Sequence, residues 1–398
     1  MSQKPTQSKT RHISRRISGL VQSDIRAMTN ECVRLGGINM GQGLCELPTP
    51  EIVIKAAQAA LSDDRKTVYS AAEGVLPLRQ AIARKLEREN NIRAKAETDI
   101  VVVNGSTGGY AATLMALFNP GDGIVLFEPF YGYHLNAALL AELEPQFVPM
   151  GEGSDKLAIN ETAVRAAIKD NTRAIVVCTP NNPSGKMWSE ADIRLVGKIA
   201  KEKDLIIITD EMYEYFRYDS REHLSPMAYP ELADRTVTLM GLSKTFSITG
   251  WRLGYVAAPA ELASKIKIAN DLFYVCAPTP LQYGVLAGFD VGRSYFTNLQ
   301  TEFKIKRDKI CSTLEAIGMP PLVPEGAYYV LADISKFGLG NSKLFAMALL
   351  EKTKVATVPG RAFFNSGVGD RYIRLCFGVN DDALDKACQQ LMQIKGGL

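Results

Sequence analysis

The chain lacks the features that identify membrane proteins and nucleic-acid-binding proteins. No apolar run approaches the ~20 residues that a membrane-spanning helix needs. The 46 Lys and Arg residues nearly balance the 43 Asp and Glu residues, and the resulting net charge of +3 is small for 398 residues. We therefore expect neither nucleic acid nor an anionic membrane as a partner.

Metal-binding combinations of cysteine and histidine are also missing from the sequence. The chain has three histidines and seven scattered cysteines, and no two cysteines form a C-x-x-C pair. This pattern predicts no metal site and favours buried, reduced thiols in a cytoplasmic protein. The cysteines are Cys32, Cys45, Cys178, Cys276, Cys311, Cys376 and Cys388.

The first twenty residues contain no acidic residue and no apolar core. The missing apolar core argues against a secretory signal. We favour a flexible arm that packs on a partner subunit, and a targeting segment is the alternative.

Along most of the chain, short and continuously apolar runs rich in Val and Ile alternate with amphipathic stretches. Such runs mark strands covered on both faces, as in a mainly parallel sheet flanked by helices. They lie at Asp99–Val103, Ile124–Phe127, Ala174–Cys178, Leu205–Thr209, Val237–Met240 and Gly254–Ala258. Helices are predicted at Pro77–Glu89, Tyr110–Leu117, Glu161–Lys169 and Glu190–Lys203, the last with Ser189 as its N-cap. The sequence therefore predicts an α/β fold with a doubly wound large domain.

The pattern changes after Gly292. A long helical stretch is followed by Pro-rich turns, strand candidates at Ala327–Ala332 and Tyr372–Phe377, and an amphipathic helix at Asp382–Ile394. We expect residues 61–294 to form the large domain and residues 295–398 a smaller α+β domain. Residues 1–60 are expected to supply the N-terminal arm and part of the small domain.

Unusual residues follow the predicted strands at their carboxyl ends. N-G-S-T-G-G-Y (Asn104–Tyr110) enters a helix, and free N–H groups at a helix start can hold a phosphate. E-P-F-Y-G-Y-H (Glu128–His134) brings aromatic rings, and T-P-N-N-P-S-G-K (Thr179–Lys186) brings asparagines. Each segment alone is also compatible with ordinary turn packing. In an open parallel sheet, however, ligands bind beyond the carboxyl ends of the strands, so these segments converge on one crevice.

Charged residues at two further strand ends indicate chemistry in the same crevice. Asp210 ends the most apolar strand, where a carboxylate is costly unless it pairs with a cation, and Tyr213 projects from the same turn. Lys244 closes another strand, and a lysine in such a place has a lowered pKa and can form a Schiff base. Arg252, eight residues later, can offer two fixed donors to a phosphate.

These motifs resemble the aspartate-aminotransferase superfamily, fold type I of the pyridoxal-phosphate enzymes, and most closely its branch of kynurenine, aromatic and broad-range aminotransferases. The most specific motif is S-K-T-F-S-I-T-G-W-R-L-G-Y (Ser243–Tyr255), and T-P-N-N-P-S-G and I-T-D-E-M-Y stand in the expected order. The similarity runs from about Asn39 to about Gly378.

The resemblance implies pyridoxal 5'-phosphate as cofactor and assigns residues to it. Lys244 is similar to the lysine that forms the Schiff base and moves the proton, and Asp210 to the carboxylate that keeps the pyridine nitrogen protonated. Asn182 and Tyr213 resemble the pair that hydrogen-bonds the ring's 3'-oxygen, and Tyr131 the aromatic stacked on the ring. The phosphate cradle is matched by Gly105, Ser106, Thr107 and Arg252.

The resemblance also implies substrate contacts and a homodimer. Arg374, in R-Y-I-R-L-C-F-G, matches the arginine that binds the substrate α-carboxylate, and Gly43 matches the backbone beside it. Asn182 would contact substrate as well as cofactor. Tyr69 resembles the tyrosine that reaches the phosphate of the neighbouring subunit, which implies active sites at a dimer interface.

The chain departs from the family pattern at three positions. Gly241 stands where relatives often have Ser, so one phosphate contact is missing or supplied by Ser243. Cys45 replaces a common proline in the loop over the substrate, and Phe364 replaces a glycine in P-G-R-A-F-F. The last two departures leave the cofactor side intact and concern the identity of the substrate.

Three functions are compatible with these motifs to different degrees. An aminotransferase acting on an L-amino acid and a 2-oxo acid by a ping-pong mechanism is the leading hypothesis. Elimination or γ-substitution on the same cofactor, as in aminocyclopropane-carboxylate synthases or carbon–sulfur lyases, is the alternative, and Leu44, Cys45 and Phe364 favour it modestly. A cofactor-sensing transcription regulator is not expected, because fewer than forty residues precede Asn39.

Neutral or aromatic amino acids are the preferred substrates in this interpretation. The branch resemblance indicates them, and no obvious second arginine is available for a side-chain carboxylate. Such an arginine can come from the partner subunit, and Arg26, Arg293 and Arg361 remain candidates.

Overall fold

The structure is a computed structural model that describes residues 13–18, 20, 23–151 and 157–398. Most of the N-terminal segment predicted to be an arm lies outside the described residues. The strands are β1 Ile38–Asn39, β2 Ile100–Val103, β3 Gly123–Phe127, β4 Glu144–Val148, β5 Thr172–Cys178, β6 Ile206–Asp210, β7 Thr236–Gly241, β8 Gly254–Ala257, β9 Pro321–Leu322, β10 Tyr329–Asp333, β11 Val355–Ala356, β12 Val358–Pro359 and β13 Tyr372–Cys376.

The helices alternate with these strands over the first two thirds of the chain, as expected for an α/β fold. They are α1 Arg15–Ser18, α2 Asp24–Arg34, α3 Glu51–Leu61, α4 Leu76–Asn90, α5 Gly105–Leu117, α6 Gly132–Leu140, α7 Glu161–Ala167, α8 Glu190–Glu202, α9 Ala260–Tyr274, α10 Thr279–Leu286, α11 Arg293–Ala316, α12 Ser342–Thr353 and α13 Asp381–Leu391. Ser189 caps α8 in a reciprocal capping box with Asp192, as predicted.

A seven-stranded sheet dominates the structure, with the strand order β2-β8-β7-β6-β5-β3-β4. Its strands are parallel except β8, which runs antiparallel to both of its neighbours. Residues of the central strands β5, β6 and β7 are almost all buried, because helices cover both faces of the sheet. The predicted fold class is confirmed, and the carboxyl ends of the six parallel strands, β2 to β7, lie at one edge of the sheet.

Strand β4 was not predicted, and the reason lies in its composition. Its sequence, E-P-Q-F-V, is not continuously apolar, and only Gln146 and Val148 within it are buried. Because β4 is an edge strand with one neighbour, β3, it tolerates the proline and the exposed glutamate.

A second group of strands lies apart from the large sheet. The sheet β12-β13-β10-β9 is antiparallel in each pair, and β1 pairs with β11. The strand predicted at Ala327–Ala332 begins at Tyr329 instead, because Ala327 has a left-handed backbone with φ of 57°. Helices α11 and α13 pack together, and α2 packs against β11 and β12.

The N-terminal segment contributes to both parts of the structure. Strand β1 joins the small group of strands, whereas α3 packs against α10 on the side of the large sheet. The domain boundaries themselves stay a prediction. Within the described residues no helix is long and apolar enough to cross a membrane, and no group of side chains has the composition of a metal site. All seven cysteines are free; Cys276 is partly exposed and the others are buried.

Candidate active site

A deep cleft opens at the carboxyl edge of the large sheet, where it faces β10 and β13. The cleft has a volume of about 1020 Å³ measured out to its open mouth. Every site residue predicted from the sequence lines this cleft, with the exception of Tyr69. The lining comprises Ile25, Arg26, Thr29, Gln42, Gly43, Gly105, Ser106, Thr107, Tyr131, Tyr133, Asn182, Asp210, Met212, Tyr213, Ser243, Lys244, Arg252, Tyr329 and Arg374.

Lys244 lies near the centre of the cleft, in a turn that begins after β7. The sequence predicted that Lys244 closes this strand. The strand instead ends at Gly241, and Lys244 lies three residues beyond it. Its Nζ donates a hydrogen bond to the carbonyl oxygen of Gly43 at 2.7 Å. Burial lowers the pKa of Lys244 to about 8, because the charged amine loses its solvation. A substantial neutral fraction makes this amine a competent nucleophile near neutral pH.

Asp210, the last residue of β6, is paired with a histidine that the sequence had not singled out. The Nε2 atom of His134 lies 2.9 Å from Oδ2 of Asp210, and both side chains are buried. The other carboxylate oxygen, Oδ1, accepts a hydrogen bond from the backbone N–H of Met212 at 3.3 Å. These partners hold the carboxylate at a fixed position on the floor of the cleft.

His134 belongs to the E-P-F-Y-G-Y-H segment, in which the sequence indicated only the aromatic residues. It lies in the first turn of α6, and its ring contacts that of Tyr131 edge-on at 5.2 Å. Tyr131 in turn stacks on Tyr133, with ring centroids 5.2 Å apart. The pairing of His134 with Asp210 is not readable from spacing, since 76 residues separate them.

The start of α5 and Arg252 form a cationic corner of the cleft. Gly105 has φ of 71°, and a Cβ atom there would lie 2.5 Å from Nη2 of Arg252. The guanidinium can therefore occupy its position only because residue 105 has no side chain. Arg252 also has a left-handed backbone, with φ of 58°, and its Nη1 donates to the carbonyl of Thr249 at 2.9 Å. Helix N-terminus and guanidinium together are suited to an anion such as a phosphate.

Packing against a neighbouring side chain explains why residue 241 is a glycine in this protein. A Cβ atom at Gly241 would lie 1.8 Å from Sδ of Met212. Met212 therefore occupies the space that a serine would need. Ser243, the other candidate for the missing contact, lines the cleft but donates its hydroxyl to the carbonyl of Leu253 at 3.1 Å.

Arg374, on β13, is nearly fully buried at 1% exposure and has unused hydrogen-bonding capacity. Its Nη1 donates to Oδ1 of Asn182 at 2.9 Å, and its Nη2 donates to the carbonyl of Gly41. Its guanidinium lies over the rings of Tyr329 and Phe363, at 4.5 and 4.9 Å from their centroids. The Nε atom has no partner within the described part of the chain. A rigid guanidinium facing a cleft is suited to a carboxylate.

Tyr213 and Tyr329 meet across the cleft. Their hydroxyl oxygens are 2.8 Å apart, which joins the turn after β6 to the first residue of β10. Tyr329 was not predicted as a site residue, because nothing in its local sequence marks it. Ile25, Thr29 and Gln42 were missed for the same reason.

Other residues that the sequence brought forward lie outside the lining of the cleft. Tyr69 is 80% exposed on the surface. Cys45 is buried with its Sγ 3.5 Å from Oγ of Ser247, and Phe364 stacks on Tyr372. Arg293 and Arg361 do not line the described cleft, whereas Arg26 does.

The residues of the cleft fit a planar, anionic group of the size of pyridoxal phosphate. The cleft has four cationic side chains, Arg26, Lys244, Arg252 and Arg374, and they outnumber its one carboxylate, Asp210, which already has His134 as a partner. An excess of cationic donors at a buried cleft indicates a ligand with at least two anionic groups.

Known proteins with similar sequences include aminotransferases. The sequence pattern of the family "Aminotransferase class I and II" matches residues 36–391. The chain is 30% identical over 373 residues to a probable N-succinyldiaminopimelate aminotransferase of Mycobacterium tuberculosis, covering 92% of this chain and 94% of the relative. It is 31% identical over 386 residues to aromatic-amino-acid aminotransferase 2 of Thermococcus litoralis, covering 96% and 98%.

A solved structure shares the whole architecture. The structure of N-succinyldiaminopimelate aminotransferase from Mycobacterium tuberculosis superposes with a TM-score of 0.92 at 30% sequence identity. The superposition covers 96% of this chain and all of that chain.

Proposed function

The chain belongs to the class I and II aminotransferases and catalyses pyridoxal-phosphate-dependent transamination, and we propose that its preferred amino donors are neutral or aromatic L-amino acids. The observation that carries the proposal is the meeting of Lys244 and Arg374 in one cleft that is also lined by Tyr131, Tyr133 and Ile25. The ring of Tyr133 and the side chain of Ile25 offer apolar surface to a substrate side chain.

In this proposal the cofactor is held by the sheet edge. When bound, pyridoxal phosphate supplies an electron sink for the carbon that loses its proton. Its phosphate would lie against Gly105, Ser106, Thr107, Ser243 and Arg252, and its ring beside Tyr131. Asp210 would pair with the pyridine nitrogen while His134 holds the other side of the carboxylate, and Asn182 and Tyr213 would donate to the ring oxygen.

Arg374 orients the substrate. Its guanidinium binds the α-carboxylate, with Asn182 and the backbone of Gly43 beside it. This anchoring leaves the Cα–H bond directed toward Lys244. Arg374 therefore contributes to the reaction mainly by orienting the bond that breaks.

Lys244 moves the proton. With the cofactor in place, the Nζ atom of Lys244 would accept the proton from Cα of the substrate and hold it for the return transfer. Because burial lowers its pKa to about 8, Nζ can both accept and release a proton near neutral pH.

One observation favours a second substrate class, the dicarboxylic 2-oxo acids. Arg26, in the first turn of α2, lines the cleft and is exposed. Its guanidinium pairs with no acidic side chain in the described ranges, since the neighbouring Asp24 binds Lys343 at 3.1 Å. If Arg252 binds the phosphate and Arg374 the α-carboxylate, Arg26 is available for a distal carboxylate of the amino acceptor.

A homodimer completes the proposal. Tyr69 and its neighbour Val68 are 80% and 60% exposed, and Leu272 at the end of α9 is 81% exposed. The chain segments that carry them are joined by the side chain of Asn270, which donates to the carbonyl of Ala72 at 3.2 Å. Covering these side chains with a second copy would remove apolar surface from water and carry Tyr69 to the partner's phosphate site.

The test is a half-reaction followed by absorbance. Purified protein with bound cofactor is mixed with single amino acids and no oxo acid. A spectral change that is stable, and that 2-oxo acids reverse, supports transamination and identifies the donors. Accumulation of ammonia or a thiol with a persistent cofactor spectrum would instead support elimination. A response to dicarboxylic donors alone would contradict the preference for neutral and aromatic ones.

The role of Arg26 has its own matched control on the same helix. In Arg26→Gln, kcat/KM for a dicarboxylic 2-oxo acid should fall about tenfold relative to a monocarboxylic one, because one charge-assisted contact is lost. Arg34→Gln removes an arginine of α2 that pairs with Glu31 outside the cleft, and it should leave this ratio unchanged. Equal ratios in the two variants would remove Arg26 from the proposal.

A further inference from the structure

Tyr329 contacts three separate parts of the cleft at once. It is buried at 2% exposure at the start of β10. Its hydroxyl lies 2.8 Å from that of Tyr213, and its ring lies under the guanidinium of Arg374 at 4.5 Å. A Cβ atom at Gly43 would lie 2.0 Å from the same hydroxyl, so the absence of a side chain at Gly43 leaves room for it.

These contacts join the two groups of strands. Tyr213 follows β6 of the large sheet, whereas Arg374 lies on β13, which pairs with β10 so that Cys376 is opposite Tyr329. Lys244 also reaches this junction, because its Nζ donates to the carbonyl of Gly43. Tyr329 is therefore a short physical link between the arginine and the tyrosine of the cleft.

We propose that Tyr329 is a positioning residue that directs the hydroxyl proton of Tyr213 into the cleft and holds the guanidinium of Arg374 in a fixed orientation. The inference rests on the proposed function of the same cleft and goes beyond it, since it assigns a role to a residue that contacts neither reacting atom.

The argument for the proton begins with the capacity of a phenol, which donates one hydrogen bond and can accept two. When Tyr329 donates to Tyr213, the proton of Tyr213 is free to donate to a ligand oxygen in the cleft. Burial raises the pKa of Tyr213 well above its ordinary value, so its hydroxyl keeps this proton over the working pH range. Removing the hydroxyl of Tyr329 would leave the proton of Tyr213 without a fixed direction.

The ring of Tyr329 contacts Arg374, and substitutions can test this contact separately from the hydroxyl. Tyr329→Phe keeps the aromatic face under Arg374 and removes only the hydroxyl. Tyr329→Leu removes both the hydroxyl and the face. Loss of the hydroxyl is expected to change the pH midpoint of the cofactor's absorbance and kcat. Loss of the aromatic face is expected to weaken substrate binding.

The neighbouring Tyr328 provides a matched control. It is equally buried, and its hydroxyl has no hydrogen-bond partner among the residues that the structure describes. Its ring contacts that of Tyr213 edge-on at 5.1 Å. Tyr328→Phe therefore removes a buried hydroxyl directly before β10 and keeps the ring that packs against Tyr213.

The experiment measures three quantities on cofactor-loaded protein: the pH midpoint of the cofactor's absorbance change, kcat, and KM for an amino acid. Tyr329→Phe should move the midpoint by about half a pH unit or more, lower kcat about tenfold and leave KM within about twofold. Tyr329→Leu should in addition raise KM about tenfold. Tyr328→Phe should leave all three near the wild-type values. Besides Tyr213 and Tyr329, the titratable groups that line the cleft are the same in every variant; they are Arg26, Tyr131, Tyr133, Asp210, Lys244, Arg252 and Arg374.

Two outcomes would overturn the inference. One is an unchanged midpoint in Tyr329→Phe, and the other is an equal shift in Tyr328→Phe, which would indicate a general effect of losing a buried hydroxyl. Thermal unfolding of each variant checks that the fold is kept. A wild-type protein that neither binds the cofactor nor transaminates would refute the proposed function itself, which is a result distinct from either of these.

Discussion

The cleft has two halves that are built in different ways. The half proposed to hold the cofactor, here called the cofactor half, consists of Gly105, Ser106, Thr107, Asn182, Asp210, Lys244 and Arg252, all at one edge of the seven-stranded sheet. The half proposed to bind the substrate, here called the substrate half, consists of Ile25, Arg26, Gly43, Tyr329 and Arg374, which come from a helix, a loop and two strands outside that sheet. One half uses a single rigid element, and the other is assembled from three distant parts of the chain.

This difference shows how the fold can keep one chemistry while substrates change. The ends of parallel strands are fixed by backbone hydrogen bonds and by helices on both faces, so the backbone position of Asp210 is set by the sheet itself. The substrate half depends on side-chain contacts such as the stacking of Tyr329 on Arg374. Loops and side chains of this kind vary without disturbing the sheet.

The largest expected effect separates chemistry from folding in the cofactor half. Lys244→Ala should lower kcat by ~10⁴-fold or more, since both the nucleophile and the proton carrier are lost. The midpoint of thermal unfolding should stay close to that of the wild type without cofactor. Lys201→Ala, an exposed lysine of α8, is the control. Substantial activity in Lys244→Ala would refute its role.

A smaller effect is expected when the substrate half is changed alone. Arg374→Ala should raise KM for amino acids about 10- to 100-fold, because a bidentate charged contact is lost, while cofactor content stays unchanged. Steady-state kinetics and absorbance of the bound cofactor measure the two effects. Arg371→Ala, on an exposed arginine that pairs with Asp333, serves as the control. Loss of cofactor together with substrate binding would show that the halves are not independent.

The smallest effect concerns the burial of Lys244. Its pKa of about 8 lies below the ordinary value of 10.5, so the neutral amine rises from about a tenth at pH 7 to about nine-tenths at pH 9. The rate at which cofactor-free protein attaches pyridoxal phosphate should therefore rise about tenfold over this range and then level off. A rate that continues to rise toward pH 10.5 would mean that the lysine is solvated like one on the surface.

Much of the cofactor half was predictable because its signals are local in sequence. Lys244 and Arg252 belong to one motif, and the glycines of Asn104–Tyr110 directly follow an apolar strand. Knowing that parallel strand ends meet at one edge was enough to place them together. Their roles toward the cofactor stay predictions, to be tested by the variants above.

The substrate half was less accessible, and the reason is sequence distance. Arg374 was found through a motif, but Tyr329, Ile25, Thr29 and Gln42 carry no local signal. Cys45 and Phe364, which the sequence placed beside the substrate, pack away from the lining of the cleft. The pairing of His134 with Asp210 likewise depends on how α6 packs beside β6.

By itself the sequence determined the α/β class, the family and the residues at the strand ends, because apolar periodicity and contiguous motifs are written within short stretches of chain. Only the tertiary structure decided which side chains meet across the cleft. The contacts of Tyr329 with Tyr213 and of Lys244 with Gly43 join residues 116 and 201 positions apart. Such contacts arise from the packing of whole elements, and no local pattern encodes them.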